Sequence, residues 1–206
     1  MKSHGLLMTP PLIRATLAGI KTETRRIPSP RNCTFDGGTW PKELVKDGAW
    51  KTELKWHRSK IRRQRGDLLI EWKDSIHSIT PRIQPGDTIY VKEAWCVAGD
   101  GQAEFYYKAD GDSIYVDDGD GFWQENKDGT LKSPWKSPLF MPREAARIVR
   151  PVLSVGFEWL HDITPESAKA EGLGTVDNFM ATWLEINGNT DNRIVLVYKF
   201  GKENLV

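Results

Sequence analysis

The apolar residues of this chain come in short segments, most of them bounded by glycine or proline. Asp67–Lys73, Thr88–Val97, Ala103–Ala109, Arg147–Phe157 and Arg193–Phe200 are rich in β-branched and aromatic residues and read as strands. Pro85-Gly86-Asp87 turns the chain into the second of these, Gly99-Asp100-Gly101 marks a hairpin before the third, and Pro151 implies an edge or a bulge in the fourth. Thr22–Ile27 is a further short strand, ended by Pro28-Ser29-Pro30. Three helices are equally short. Thr9-Pro10-Pro11 opens one with Thr9 as its cap, Leu12, Ile13, Thr16, Leu17 and Ile20 on one face and Gly19 as its stop. Thr164-Pro165-Glu166 opens another that runs to Glu171 and closes on Gly172. Asp177–Ile186 is the third, with Phe179, Trp183 and Ile186 on one side. About five to six strands and three short helices predict a mainly β chain with α (α+β): a small β-barrel with helices at its rim. Arg31–Lys60 and Asp110–Ser133 lack periodicity, so the expectation is a single domain over 1–206 with insertions at about 31–66 and 110–133.

The same pattern excludes several classes. No stretch approaches the ~18–20 apolar residues of a membrane span, and Met1–Gly5 has no apolar signal core, so the expected location is cytoplasmic with no membrane partner. Two cysteines, Cys33 and Cys96, cannot build a disulfide scaffold or a four-thiolate zinc site. The four histidines, His4, His57, His77 and His161, stand far apart without metal-ligand spacing. A calcium loop with Gly121 at its turn would need an oxygen ligand at Val116 and glutamate at Lys127, and fails at both. Serine-hydrolase, phosphate-loop and dinucleotide motifs are missing, so no metal and no cofactor are expected.

A formal net charge of +1 conceals an asymmetry. Met1–Arg65 holds 15 Lys/Arg against five Asp/Glu, and seven of those bases fall in Lys51–Arg65 (KTELKWHRSKIRRQR). Gly99–Thr130 holds nine acids against Lys108 and Lys127. Trp50, Trp56 and His57 are interleaved with the basic run, a mixture that suits phosphates and stacked bases.

The residues that point to chemistry are Ala18–Arg26, AGIKTETRR. A helix closing on Gly19 delivers Lys21 just past its end, and a strand after it puts Thr22, Thr24 and Arg26 on one face, Glu23 and Arg25 on the other. A lysine and a threonine three apart at such a corner can serve as base and nucleophile where burial lowers the lysine pKa; equally, Lys21 can be solvated and Thr24 a plain strand residue.

This segment resembles the signature loop of ASCH-domain proteins, a branch of the PUA-like β-barrel superfamily. Pro85–Val91 (PGDTIYV) is similar to the family's PGD turn and barrel strand. Val91–Trp95 and Ser137–Arg147 (SPLFMPREAAR) look like the longer ASCH proteins of bacteriophages and prophages, and Asp162–Gly172 resembles their helix ending A-x-x-E-G. The matches span Leu7–Phe200, interrupted at Arg31–Glu71 and Gly111–Lys132. The resemblance implies a PUA-like barrel whose cleft, at the first helix-to-strand corner, binds RNA or a modified nucleoside, with DNA as a variant. A small bacterial branch hydrolyses N4-acetylcytidine to cytidine and acetate. Carried onto matching positions, its base is Lys21, its nucleophile Thr24 and its proton donor Glu171.

Arg25, Arg26 and Arg143 fall in these motifs as substrate-binding candidates, Trp95 and Trp135 flank them as stacking candidates, and Arg58, Arg62 and Arg63 of the basic run are phosphate-contact candidates. The chain is about twice the length expected of the hydrolase branch, and the phage-type group has no established function. Two other readings stand beside amide hydrolysis. One is a nucleic-acid-binding module without catalysis. The other is a phage protein that docks on a host or phage protein through Phe105, Tyr106, Phe122, Trp123 and the acidic middle. The sequence does not fix the oligomeric state.

Overall fold

A computed structural model describes residues 1–42, 61–64, 67–72, 75–98, 104–110, 124–125, 131–132, 135–203 and 205. In chain order its elements are β1 (Ser3–Leu7), α1 (Pro10–Leu17), β2 (Glu23–Arg26), β3 (Cys33–Phe35), β4 (Ile61–Gln64), β5 (Asp67–Trp72), β6 (Ser75–Pro81) and β7 (Thr88–Lys92). They continue with β8 (Trp95–Ala98), β9 (Glu104–Tyr107), β10 (Gln124–Glu125), β11 (Leu131–Lys132), β12 (Val149–Trp159), α2 (Pro165–Ala170), α3 (Val176–Asn187) and β13 (Ile194–Phe200). The architecture is mixed, mostly sheet with few helices.

The main sheet has five strands in the order β1-β7-β12-β13-β2. β1 runs parallel to β7, and the other neighbours are antiparallel. Strand alternation sorts its two faces. Trp159, Phe157 and Val152 of β12 share one face with Ile194, Leu196, Tyr198 and Phe200 of β13, and all seven enter the larger core. That core also takes Leu12 and Ile13 from α1, and Cys33, Phe35, Leu68, Ile70 and Ile79 from a four-stranded sheet ordered β3-β6-β5-β4. The other face presents Val195 and Val197 to Phe179 and Trp183 of α3, with Leu160, Ile163 and Ala168. Two helix starts are capped: Thr164 Oγ accepts from the Ser167 amide and Thr175 Oγ from the Asn178 amide.

Several expectations are corrected. Among the described residues β1 and β2 are unpaired sheet edges, so the main sheet is open and no closed barrel forms. The six expected strands are present as β2, β5, β7 with β8, β9, β12 and β13, but thirteen are described: β1 and β6 are additional, and the regions expected to be irregular contribute β3, β4, β10 and β11. Thr9 occupies the cap position of α1 without a side-chain bond; of the two amides such a cap accepts from, the nearer belongs to Pro11, which has no N–H. Leu17 and Ile20 are 42% and 59% exposed, and the buried stripe of α1 is Leu12, Ile13, Ala15 and Thr16. Ile186 is 54% exposed, off the Phe179/Trp183 face of α3. Thr88–Val97 is two strands, β7 and β8, broken where Glu93 turns inward to accept from Nε and Nη2 of Arg147 at 2.9 and 3.0 Å. Pro151 lies in a central strand, and the irregularity it implied appears as a register shift between Val152 and Ser154.

Candidate functional site

The Lys21 corner is held by backbone bonds from three sides. The amides of Ile20 and Lys21 both donate to the Ala15 carbonyl, ending α1, and Gly19 takes the left-handed conformation at φ 69°. The Thr22 amide donates to the Ala170 carbonyl at 2.7 Å, tying the corner to the end of α2, and the Thr22 carbonyl accepts from the Phe200 amide at the end of β13. Gly172 follows at φ 83°, where a Cβ would stand 2.8 Å from the Ala15 Cβ and 3.2 Å from the Lys21 Cβ. Glycine is therefore required there both by conformation and by the approach of α2 to α1.

These restraints bury the Lys21 ammonium among oxygens. Its Nζ donates to the Glu171 carboxylate at 2.6 Å, the Glu171 carbonyl at 3.0 Å and the Glu23 carbonyl at 2.6 Å. Three acceptors match the three N–H donors of an ammonium, which is the condition for keeping a lysine out of water. Burial lowers the Lys21 pKa, the Glu171 carboxylate opposes that, and the positive charges of Arg26 and Arg25 lower it further.

Glu171 is divided between two cations, Oε2 facing Lys21 and Oε1 accepting from Arg25 Nη1 at 3.0 Å. Arg25 also donates through Nε to Glu158 at 2.5 Å and through Nη1 to Glu23 at 3.3 Å, with its guanidinium 5.7 Å from the centre of the Phe179 ring. Burial works against the charged guanidinium, but Glu171 and Glu158 outweigh it and raise the Arg25 pKa. Lys199 reaches Glu23 from the neighbouring strand at 2.8 Å. The result is a chain of alternating charges, Lys21–Glu171–Arg25–Glu23–Lys199, with Glu158 as a branch.

Thr24 is 4% exposed and pairs with Tyr198, so alternation along β2 sends it to the larger core with Arg26, opposite Glu23 and Arg25. Among the described residues no hydrogen bond joins Thr24 to Lys21 or Glu171. Of the three candidate catalytic residues, Lys21 and Glu171 are in contact, and Thr24 lies one strand residue beyond the Glu23 carbonyl that Lys21 holds.

The candidate binding residues divide similarly. Arg25 belongs to the buried network, and Arg26 donates through Nη2 to the Leu7 carbonyl at 2.5 Å, across the gap between β2 and β1. Trp95 is 6% exposed, packed with Met141, Ala145 and Ala146, with the Lys136 ammonium 4.7 Å from its ring centre. Its face is thereby taken by a cation from the chain itself. Trp135 is half-buried. Arg143 donates to Ser3 Oγ at 3.2 Å and lies 5.8 Å over the Tyr90 ring, near the start of β1. Arg62 and Arg63 pair through their backbone with Leu69 and Leu68 in the four-stranded sheet. Arg58 lies outside the described residues, as do Phe122, Trp123 and most of the acidic middle.

Sequence reasoning missed Glu158, Glu23 and Lys199 as partners of Arg25 and of one another. It also missed a cleft of about 840 Å³ between the edges β1 and β2, whose lining includes Arg26, Arg31, Arg82 and Tyr198. Local alternation at Phe157-Glu158-Trp159 and Tyr198-Lys199-Phe200 was the available signal for Glu158 and Lys199, and alternation along β2 was the signal for Glu23. Nothing local signals the cleft, because it depends on the order of strands in the sheet.

Among the described residues no group of three or more His, Cys, Asp and Glu is placed to hold a metal ion. No helix among them is long and apolar enough to cross a membrane. No family model matches the chain, and no curated protein or solved structure matches it.

Proposed function

We propose that this chain is an ASCH-domain protein of the PUA-like superfamily that binds RNA or a modified nucleoside at the Lys21/Thr24 corner and hydrolyses the amide of N4-acetylcytidine there. The main sheet is read, in this proposal, as an opened PUA-like barrel with insertions at about 31–66 and 110–133. The observation that carries the reading is the buried contact of Lys21 with Glu171, two residues that the ASCH resemblance pairs across 150 positions of chain.

In the proposed reaction the Thr24 hydroxyl oxygen attacks the acetyl carbonyl and its proton passes to neutral Lys21. The 2.6 Å contact then relays a proton through Glu171 to the cytosine N4 as the C–N bond breaks. Water cleaves the acetyl-threonine ester to give acetate and restores the hydroxyl. Arg25 orients Glu171, and Arg26 adds the positive charge that favours neutral Lys21.

A second reading, a nucleoside- or nucleic-acid-binding module without chemistry, draws on the lack of a Thr24–Lys21 hydrogen bond and on the full occupation of the Lys21 donors. One experiment separates the two. Purified protein is titrated with N4-acetylcytidine and with single-stranded RNA, and the nucleoside sample is then chromatographed for cytidine. Binding with cytidine release supports hydrolysis, binding without release supports the module, and neither in a folded protein contradicts both.

A further inference from the structure

The cleft between β1 and β2 is lined by Lys2, His4, Arg26, Arg31, Arg82 and Tyr198 among others, and no carboxylate lines it among the described residues. Asp87, which pairs with His4 Nε2 at 3.3 Å and accepts from the Lys2 amide at 2.7 Å, is not part of the lining. Lys2, Arg31 and Arg82 are exposed at the rim. Deeper in, two buried polar atoms have no hydrogen-bond partner among the described residues, the Tyr198 hydroxyl and Arg26 Nε. Tyr198 itself is 0% exposed. Both atoms carry a proton to donate, so what each lacks is an acceptor. Buried donors beneath a cationic rim define a site for an oxyanion with several acceptor oxygens.

We propose that the β1/β2 cleft binds a phosphoryl group, with the Tyr198 hydroxyl and Arg26 Nε at its floor and Lys2, Arg31 and Arg82 at its rim. A terminal phosphoryl group brings three acceptor oxygens and about two negative charges, which two floor donors and several cations suit better than a single carboxylate, and a phosphodiester within RNA brings two free oxygens and one charge to the same donors. Arg26 also acts electrostatically on Lys21 and Glu171. For the nucleoside half this inference rests on the function proposed above. A ligand with its base at the Lys21 corner and its phosphoryl group over Arg26 is a nucleotide, either free or within RNA.

The test is calorimetric titration of the full chain with inorganic phosphate, cytidine, cytidine monophosphate and a short cytidine-containing RNA. The monophosphate is expected to bind at least about ten-fold more tightly than cytidine, with inorganic phosphate competing. Tyr198→Phe keeps the ring and removes the donor, and is expected to weaken the monophosphate about ten-fold. Arg82→Ala, at an exposed position, should weaken it about three-fold. Neither variant should change cytidine affinity. RNA binding more tightly than the monophosphate assigns the phosphoryl group to RNA, and the reverse order assigns it to a free nucleotide. Phosphate binding that Tyr198→Phe weakens, with no cytidine affinity, supports the cleft and overturns the nucleoside reading. Equal affinity for cytidine and its monophosphate overturns the cleft proposal and leaves the nucleoside reading standing. No binding of any of the four overturns both.

Discussion

Lys21 and Glu171, 150 residues apart in the chain, meet with Nζ 2.6 Å from Oε2 and side chains only 0% and 5% exposed. A pair so deeply buried is held by everything around it, here the Glu23 carbonyl on one side and Arg25 on the other.

Glu171→Gln removes the charge that both Lys21 and Arg25 face. It is expected to cost about 3–5 kcal/mol, because a buried cation left without its partner is strongly destabilising. Urea denaturation of Glu171→Gln, Lys21→Met and the double variant checks this. The double variant should be more stable than the sum of the two single losses predicts, since it removes the charge together with its partner.

Gly172→Ala and Gly19→Ala separate steric from conformational cost. Both glycines have positive φ, at 83° and 69°. A Cβ at Gly172 would press on Ala15 and Lys21, while one at Gly19 meets nothing within 4 Å. Gly19→Ala should therefore cost about 1–2 kcal/mol for the left-handed backbone alone. Gly172→Ala should cost a further ~1–3 kcal/mol for overpacking, read as the difference between their melting curves.

The elements that glycine and proline delimit were legible: α1 from Pro10-Pro11, α2 from Thr164-Pro165, β7 from Pro85-Gly86-Asp87. β1 was not, since Ser3-His4-Gly5-Leu6-Leu7 has neither alternation nor a turn before it. β6 was missed because its apolar residues, Ile76 and Ile79, are spaced three apart, with the first 68% exposed and the second 0%. At the site, strand alternation put Glu23 and Arg25 opposite Thr24 and Arg26. The union of Lys21 with Glu171 was legible only through the family resemblance, because spacing carries no information across 150 residues. The barrel expectation missed the gap because closure depends on whether β1 and β2 meet, and Arg26 stands between them with its side chain on the Leu7 carbonyl.

Cys33 is 0% exposed, and burial pushes its thiol up to about 12 from 9.0. The folded protein keeps that proton where the unfolded chain loses it, so the stabilisation is fully present below pH 9.0 and is lost as pH rises toward about 12. Cys33→Ala should flatten this alkaline decline in a pH series of denaturation curves. A thiol reagent at pH 8 should label Cys33 only after unfolding.

Tyr198→Phe removes a buried hydroxyl that has no partner among the described residues. The variant should be more stable than wild type by about 1–3 kcal/mol, the desolvation cost of an unsatisfied polar group. A thermal melt without phosphate should show the gain, and a melt at saturating phosphate should show it shrink or reverse. A Tyr198 that merely packs would give the same difference in both melts.

The most direct measurement is cytidine release from N4-acetylcytidine by wild type, Lys21→Met and Thr24→Ala, each first shown to be folded. Release by wild type is expected, with a loss of at least about 100-fold in both variants and an acetyl group on the Thr24 peptide of quenched wild type. Release that survives unchanged in Thr24→Ala, or no release from folded wild type, would contradict the proposed reaction.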